Sequence, residues 1–120
     1  MLHQVIARTF TAGTSSTAIY IGGAKRVAVE MPTFAAGVTT TTANLFFQVA
    51  KLDTDTFRRV QAMGFYSAAS GVYDYEIPSN IGNKVYIVDP VVGFDHMKVE
   101  ISNIVTTPFV MNVHVWRGDQ

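Results

Sequence analysis

The 120-residue chain is predicted to be all-β, an antiparallel sandwich or barrel of about eight short strands. Three observations predict this. Apolar residues alternate with polar ones over runs of five to eight residues, the period of a strand with one buried face. Clusters of Gly, Pro, Thr, Asn and Asp separate those runs, and these residue types favour turns. No segment has the spacing of an amphipathic helix. The nearest candidate, residues 53–63, reads equally well as a polar turn followed by a strand.

The elements follow in order. Residues 5–10 are β-prone and form either a first strand or an arm. Residues 1–12 are therefore set apart from a single sandwich domain over residues 13–120. Residues 11–16 (Thr-Ala-Gly-Thr-Ser-Ser) are a turn, residues 18–21 (Ala-Ile-Tyr-Ile) a short strand, and Gly22-Gly23 closes it. Residues 26–31 alternate, with Val27, Val29 and Met31 on one side and Arg26, Ala28 and Glu30 on the other. Pro32 ends that strand because proline has no N–H to give to a ladder. Residues 33–43, with four consecutive threonines, read as an exposed loop. The central hairpin comes next. Leu45, Phe47 and Val49 share one face, Phe46, Gln48 and Ala50 the other, and Asp53-Thr54-Asp55-Thr56 turns the chain back to Phe57 and Val60. Those last two differ in strand parity, so burying both would require a bulge near Arg58 and Arg59.

The second half repeats this grammar. Residues 62–71 read as a loop around Phe65 and Tyr66. In residues 72–77, Tyr73, Tyr75 and Ile77 oppose Asp74 and Glu76. Residues 84–88 are a strand stopped by Asp89-Pro90. Met97, Val99 and Ile101 alternate with Lys98, Glu100 and Ser102. In the last strand Phe109, Met111, Val113 and Val115 alternate with Val110, Asn112, His114 and Trp116. The expected core is Val27, Val29, Leu45, Phe47, Val49, Tyr75, Ile77, Val99, Ile101, Met111, Val113 and Val115.

Composition narrows the function classes. The formal net charge is zero, whereas binding to nucleic acid independent of sequence needs a basic excess; no nucleic-acid partner is expected. No window approaches about 18 uninterrupted apolar residues, so no membrane span is expected. Met1-Leu2-His3-Gln4 lacks the basic start and apolar core of a signal peptide. There is no cysteine, which excludes disulfides and thiolate metal sites and fits synthesis in a reducing cytoplasm. Charged residues make up 15% of the chain against a usual ~25%. A surface so poor in charge is that of a small Thr-rich β domain or of one covered by a partner or its own copies.

No residue pattern announces chemistry. Asp53-Thr54-Asp55 begins like a Ca²⁺ loop but lacks the following glycine and the late Glu; a plain turn is the simpler reading. His3, His96 and His114 stand at no ligand spacing. Asp95 and His96 are adjacent, and strand neighbours point to opposite faces. Asp74 and Glu76 would lie about 7 Å apart on one strand face, a separation that can suit glycosidic chemistry but is commonplace on a solvated strand. No nucleophile elbow, Walker loop or dinucleotide fingerprint is present. No catalytic residue, cofactor or metal site is expected, and the chain is not expected to be an enzyme. Phe46, Tyr73 or Tyr75, and Trp116 could lie on outer faces, where aromatics stack on sugars or form protein interfaces.

The order of these elements resembles small β-sandwich proteins that decorate, or cement, the heads of tailed bacteriophages. The resemblance runs from Gly13 to Arg117. It is carried by Gly13-Thr14-Ser15-Ser16-Thr17-Ala18-Ile19, Gly22-Gly23, the strand ending Met31-Pro32, Phe47-Gln48-Val49 with the acidic turn before Phe57, residues 97–102, and the closing strand over residues 110–116. The sequence departs from that pattern at the turn, where Thr54-Asp55 stands in place of Asp-Gly. The resemblance implies a jelly-roll-like antiparallel β-sandwich on the outer capsid surface of a virion. There it would bind the major capsid protein as a homo-oligomer, commonly a homotrimer, and stabilise the shell. Contacts are expected from Leu2, His3 and Val5 in the N-terminal segment and from the loops at Phe34 and at Phe65 and Tyr66. The alternative is a carbohydrate- or receptor-binding module of a phage fibre, spike or tail.

Overall fold

A computed structural model describes residues 2–10, 15–34, 43–61, 81–102 and 108–118, and the backbone of residues 76–78. Among the described residues nine strands are formed: β1 (Leu2–Phe10), β2 (Ile19–Tyr20), β3 (Ala24–Met31), β4 (Asn44–Ala50), β5 (Arg58–Arg59), β6 (Glu76–Pro78), β7 (Lys84–Ile87), β8 (His96–Ser102) and β9 (Phe109–Arg117). A 3-10 turn, Asp89–Val91, follows β7 and carries Pro90 in its first turn, where the missing proline N–H costs nothing.

The strands build two antiparallel sheets. The first has the order β1-β9-β3-β7; the second has the order β2-β8-β4, with β5 and β6 sharing the far edge of β4. Each early strand therefore pairs with a late one: β1 with β9, β2 with β8, β3 with β7, and β4 with the β5–β6 edge. That nesting is a long antiparallel ribbon rolled over on itself, and it makes the sandwich a jelly roll. The all-β sandwich expectation is met.

The core lies between the sheets and follows the alternation. Val27, Val29, Leu45, Phe47, Val49, Val99, Ile101, Met111, Val113 and Val115 are all buried. Tyr75 and the side chain of Ile77 lie outside the described residues. Among the described residues Phe47 is the largest fully buried side chain. Burying a side chain of this class contributes about 1.5–3 kcal/mol. Tyr86 also points inward from β7, and its hydroxyl donates to the Ile81 carbonyl at 3.0 Å. Burial raises its pKa above the ordinary phenol value, because the phenolate is the form that loses solvation.

Local chemistry sets the turns. Gly23, with φ near 75°, closes the β2–β3 turn in a conformation that favours glycine, and the Ala24 N–H donates to the Ile21 carbonyl at 3.0 Å. The acidic turn is centred one residue earlier than the sequence implies. The Asp55 N–H donates to the Leu52 carbonyl at 3.1 Å, and the Leu52 N–H donates back to an Asp55 carboxylate oxygen at 3.0 Å. The bulge near Arg58 is not needed. Gln48 pairs with Arg59 and Val49 with Arg58 without a shift, and the Val60 N–H continues the ladder to Phe47 at 2.8 Å. The reason is burial: Val60 is buried, whereas Phe57 is only half-buried and lies under the Lys98 ammonium, 4.4 Å from its ring centre.

Candidate functional site

The two outer faces of the sandwich differ in chemistry, and that difference locates the candidate site. Directly opposed residues in antiparallel strands point to the same side, so the register defines each face.

On the second sheet, β8 and β4 bring His96, Lys98 and Glu100 opposite Ala50, Gln48 and Phe46. This face is polar and internally paired. Gln48 Nε2 donates to Glu100 Oε1 at 2.7 Å, Arg59 Nε donates to the same oxygen at 2.9 Å, and the Arg59 guanidinium lies 3.8 Å over the Phe46 ring. Phe46 is consequently buried, which corrects the expectation that it could stand out as a platform. Parity puts it on the outer face, and an arginine from the next strand covers it. Asp95 and His96 do not act on one another. Asp95 pairs with Lys51 at 3.0 Å, the His96 ring nitrogen bonds the Lys51 carbonyl at 3.2 Å, and Tyr20 meets His96 edge-on. Arg59→Ala is expected to cost about 2 kcal/mol, since it strands the Glu100 carboxylate and uncovers Phe46. Urea unfolding would show this as a lower midpoint with an unchanged slope.

On the first sheet the register lays down four rows. They are His3–Trp116–Arg26, Val5–His114–Ala28–Ile87, Ala7–Asn112–Glu30–Val85, and Thr9–Val110. Within them Val5, Val110, Ile87 and Val85 are 52%, 47%, 46% and 57% exposed, so half of each large apolar side chain faces out. The two formally charged residues in the rows are already engaged. Arg26 lies 3.4 Å from Asp89, and Glu30 accepts from His114 Nε2 at 2.8 Å.

A hydrogen-bonded chain crosses three strands of this face. An ionised Glu30 can only accept, so His114 donates through Nε2. His3 Nε2 lies 3.0 Å from the other ring nitrogen, His114 Nδ1, and the two share one hydrogen bond. The rings lie nearly parallel, with His3 and Trp116 4.6 Å apart at 5° and His3 and His114 5.2 Å apart at 18°. The sequence gives no sign of this cluster, because His3 and His114 are 111 residues apart and meet only through the β1–β9 ladder. The nearest readable signal was the placing of His114 and Trp116 on one side of the last strand. Beside the cluster, Lys25, Arg26, Ile87 and Trp116 line an open depression. Among the described residues no group of three His, Cys, Asp or Glu is placed to hold a metal ion.

Of the expected contact residues, Leu2, His3 and Val5 fall together on β1, with His3 and Val5 on the apolar face. Leu2 is exposed at its end. Arg117 ties this end down by donating to Gln4 Oε1 at 2.6 Å and to the Gly22 and Tyr20 carbonyls at 2.9 and 3.2 Å. Phe34 is elsewhere. It packs edge-on against Phe109 at 4.7 Å, at the opposite end of β1 and β9 where Phe10 also meets Phe109 at 5.3 Å. Phe65, Tyr66, Tyr73, Tyr75 and Asp74 lie outside the described residues.

Fold and face together define a jelly-roll protein with one polar face whose side chains pair with one another and one mixed face that carries four half-exposed aliphatic side chains and two paired charges. Among solved structures it is similar to the crystal structure of the SPBc2 prophage-derived protein YomS. The TM-score is 0.58 with 10% sequence identity, over 97% of this chain and 96% of that one. At that identity the likeness is one of fold, and it extends over the full length of both chains. No protein-family model matches the sequence, and no curated protein matches it.

Proposed function

We propose that this chain is a bacteriophage structural protein that decorates the outer surface of the capsid, binding the major capsid protein and stabilising the shell. The single observation that carries the reading is the asymmetry of the two outer faces. A sheet face with four half-exposed aliphatic side chains and two already paired charges loses little on desolvation and gains on burial. Each such contact is modest. Repeated over many capsid positions by an oligomer, the contacts add through effective concentration. The prophage origin of the structural neighbour supports a phage setting. The resemblance makes a homotrimer the starting expectation. On this reading the chain performs no catalysis and carries no cofactor.

The test is co-sedimentation of the purified protein with undecorated heads and, separately, with tails. Pelleting with heads alone is the expected result; pelleting with tails alone would move the protein to a tail position.

A second reading, a carbohydrate- or receptor-binding module of a fibre, spike or tail, is favoured by the Trp116–His3–His114 cluster, since flat aromatics stack on sugar rings. His3 already covers one face of Trp116 at 4.6 Å, which leaves less of it to offer. Glycan-array binding that is lost in Trp116→Ala, with no binding to heads, would select this reading.

A further inference from the structure

As far as the described residues go, the outer edge of β1 carries no strand and is unlike the other edges of the sandwich. Among the described residues, β7 ends the first sheet with four residues, β2 and β5 border the second with two each, and β6 adds three that finish on Pro78. Short edges and edge prolines are devices that keep strands from pairing with other chains. β1 has neither. It runs for nine residues, pairs with β9 from Leu2 to Phe10 without a bulge, and has no strand on its other side among the described residues. Its residues 2–5 are all exposed. Arg8 is its one formally charged residue, and that side chain is occupied with the Ala7 and Ala18 carbonyls at 3.0 and 3.2 Å.

The geometry points to a second copy of this chain as the occupant of that edge. In our reading two β1 strands pair antiparallel about a two-fold axis and join the two four-stranded sheets into one of eight.

Three features select a like copy. First, a two-fold pairing must place residues of the same parity opposite one another. Centred on Ile6, it sets Gln4 opposite Arg8, Val5 opposite Ala7 and His3 opposite Thr9. No formal charge meets its like. Second, the outward stripe His3, Val5, Ala7 and Thr9 continues across the axis, so the apolar faces of both copies become one surface. Third, the areas fit. Four strands about 4.8 Å apart and seven residues at about 3.3 Å make a face of roughly 450 Å². That is below the ~800 Å² per partner of a standard interface, and two joined faces reach it. Strand pairing of this kind is isologous, so it replaces the three-fold expectation with a two-fold one. The first two features stand independently of what the joined face binds; the third rests on the proposed capsid contact.

Light scattering and amide exchange on the full-length protein test the contact. The expected mass is that of two 13.1 kDa chains. In a strand, alternate N–H groups point to opposite sides, so every second β1 amide is held by β9 in a monomer. The intervening amides are protected only when the edge is paired, and that protection should rise with protein concentration. Gln4→Pro and Val5→Pro extend the test, because adjacent N–H groups face opposite ways. One substitution must weaken the β9 ladder and lower the melting temperature. The other must spare the fold and convert the protein to a monomer. A monomer, or a trimer whose intervening β1 amides exchange freely, overturns the proposal. So does a dimer that survives both proline variants. A monomer that still pellets with heads overturns the two-fold contact and leaves capsid decoration standing; a dimer that ignores heads does the reverse.

Discussion

Phe47→Ala should remove a fifth or more of the folding stability. Phe47 is fully buried at the centre of β4, paired across the ladder with Val99 and carrying Val60 on its own carbonyl. Removing an aromatic ring there forfeits its transfer energy and leaves a cavity between two sheets that cannot close without breaking register. The cost is about 3–5 kcal/mol, against a total stability of about 5–15 kcal/mol for a domain of this kind. Urea titration should show the midpoint falling by a fifth or more with an unchanged slope. The neighbouring Phe46→Ala is the sharp control. Phe46 is almost as buried, but the group above it is the guanidinium of Arg59, a flexible side chain that can settle into the vacated space. Its cost should be clearly smaller, about 1–2 kcal/mol, because a site that collapses keeps less cavity. Equal costs for the two would mean that the Arg59 cover is as rigid as the inter-sheet core.

Ile87→Asp combined with Val110→Asp should abolish binding to undecorated heads while leaving the fold nearly untouched. Both side chains are about half exposed on the apolar face, and substitutions at such positions usually change stability by less than about 0.5 kcal/mol. In a complex the two carboxylates would have to be desolvated without partners, at a cost of a few kcal/mol. That corresponds to at least about a hundredfold weaker binding for each copy, and multivalency amplifies the loss. Thr54→Asp, in the exposed turn beyond the polar sheet, is the matched control and should bind heads as the parent does. If the double variant still pellets with heads and the turn variant does not, the interaction belongs to the other side of the sandwich.

Much of the fold was legible because a strand's alternation is written locally. Each residue's side of its own strand follows from its parity, so Val27 and Val29, Met111 and Val113, and Val99 and Ile101 could be placed in the core one strand at a time. Pro32 and the Asp89-Pro90 pair likewise mark strand ends through their own missing N–H groups. The acidic turn was recognised for the same reason, and its centre slipped by one residue because the Leu52–Asp55 hydrogen bonds, rather than composition, set it.

The candidate face was not legible in this way. Parity assigns Phe46 and Trp116 equally to outer faces. One is buried under Arg59 and the other is stacked beside His3, and that depends on which strand lies alongside. The Glu30–His114–His3 chain joins three strands whose members are 84 and 111 residues apart. The contrast between a polar and an apolar face likewise appears only once β9 is set between β1 and β3. Alternation within a strand is a short-range property of the backbone and can be read from neighbours. The choice of strand partner is a long-range one, made by the rolling of the whole ribbon, and that rolling turned scattered His, Trp and Val residues into a surface.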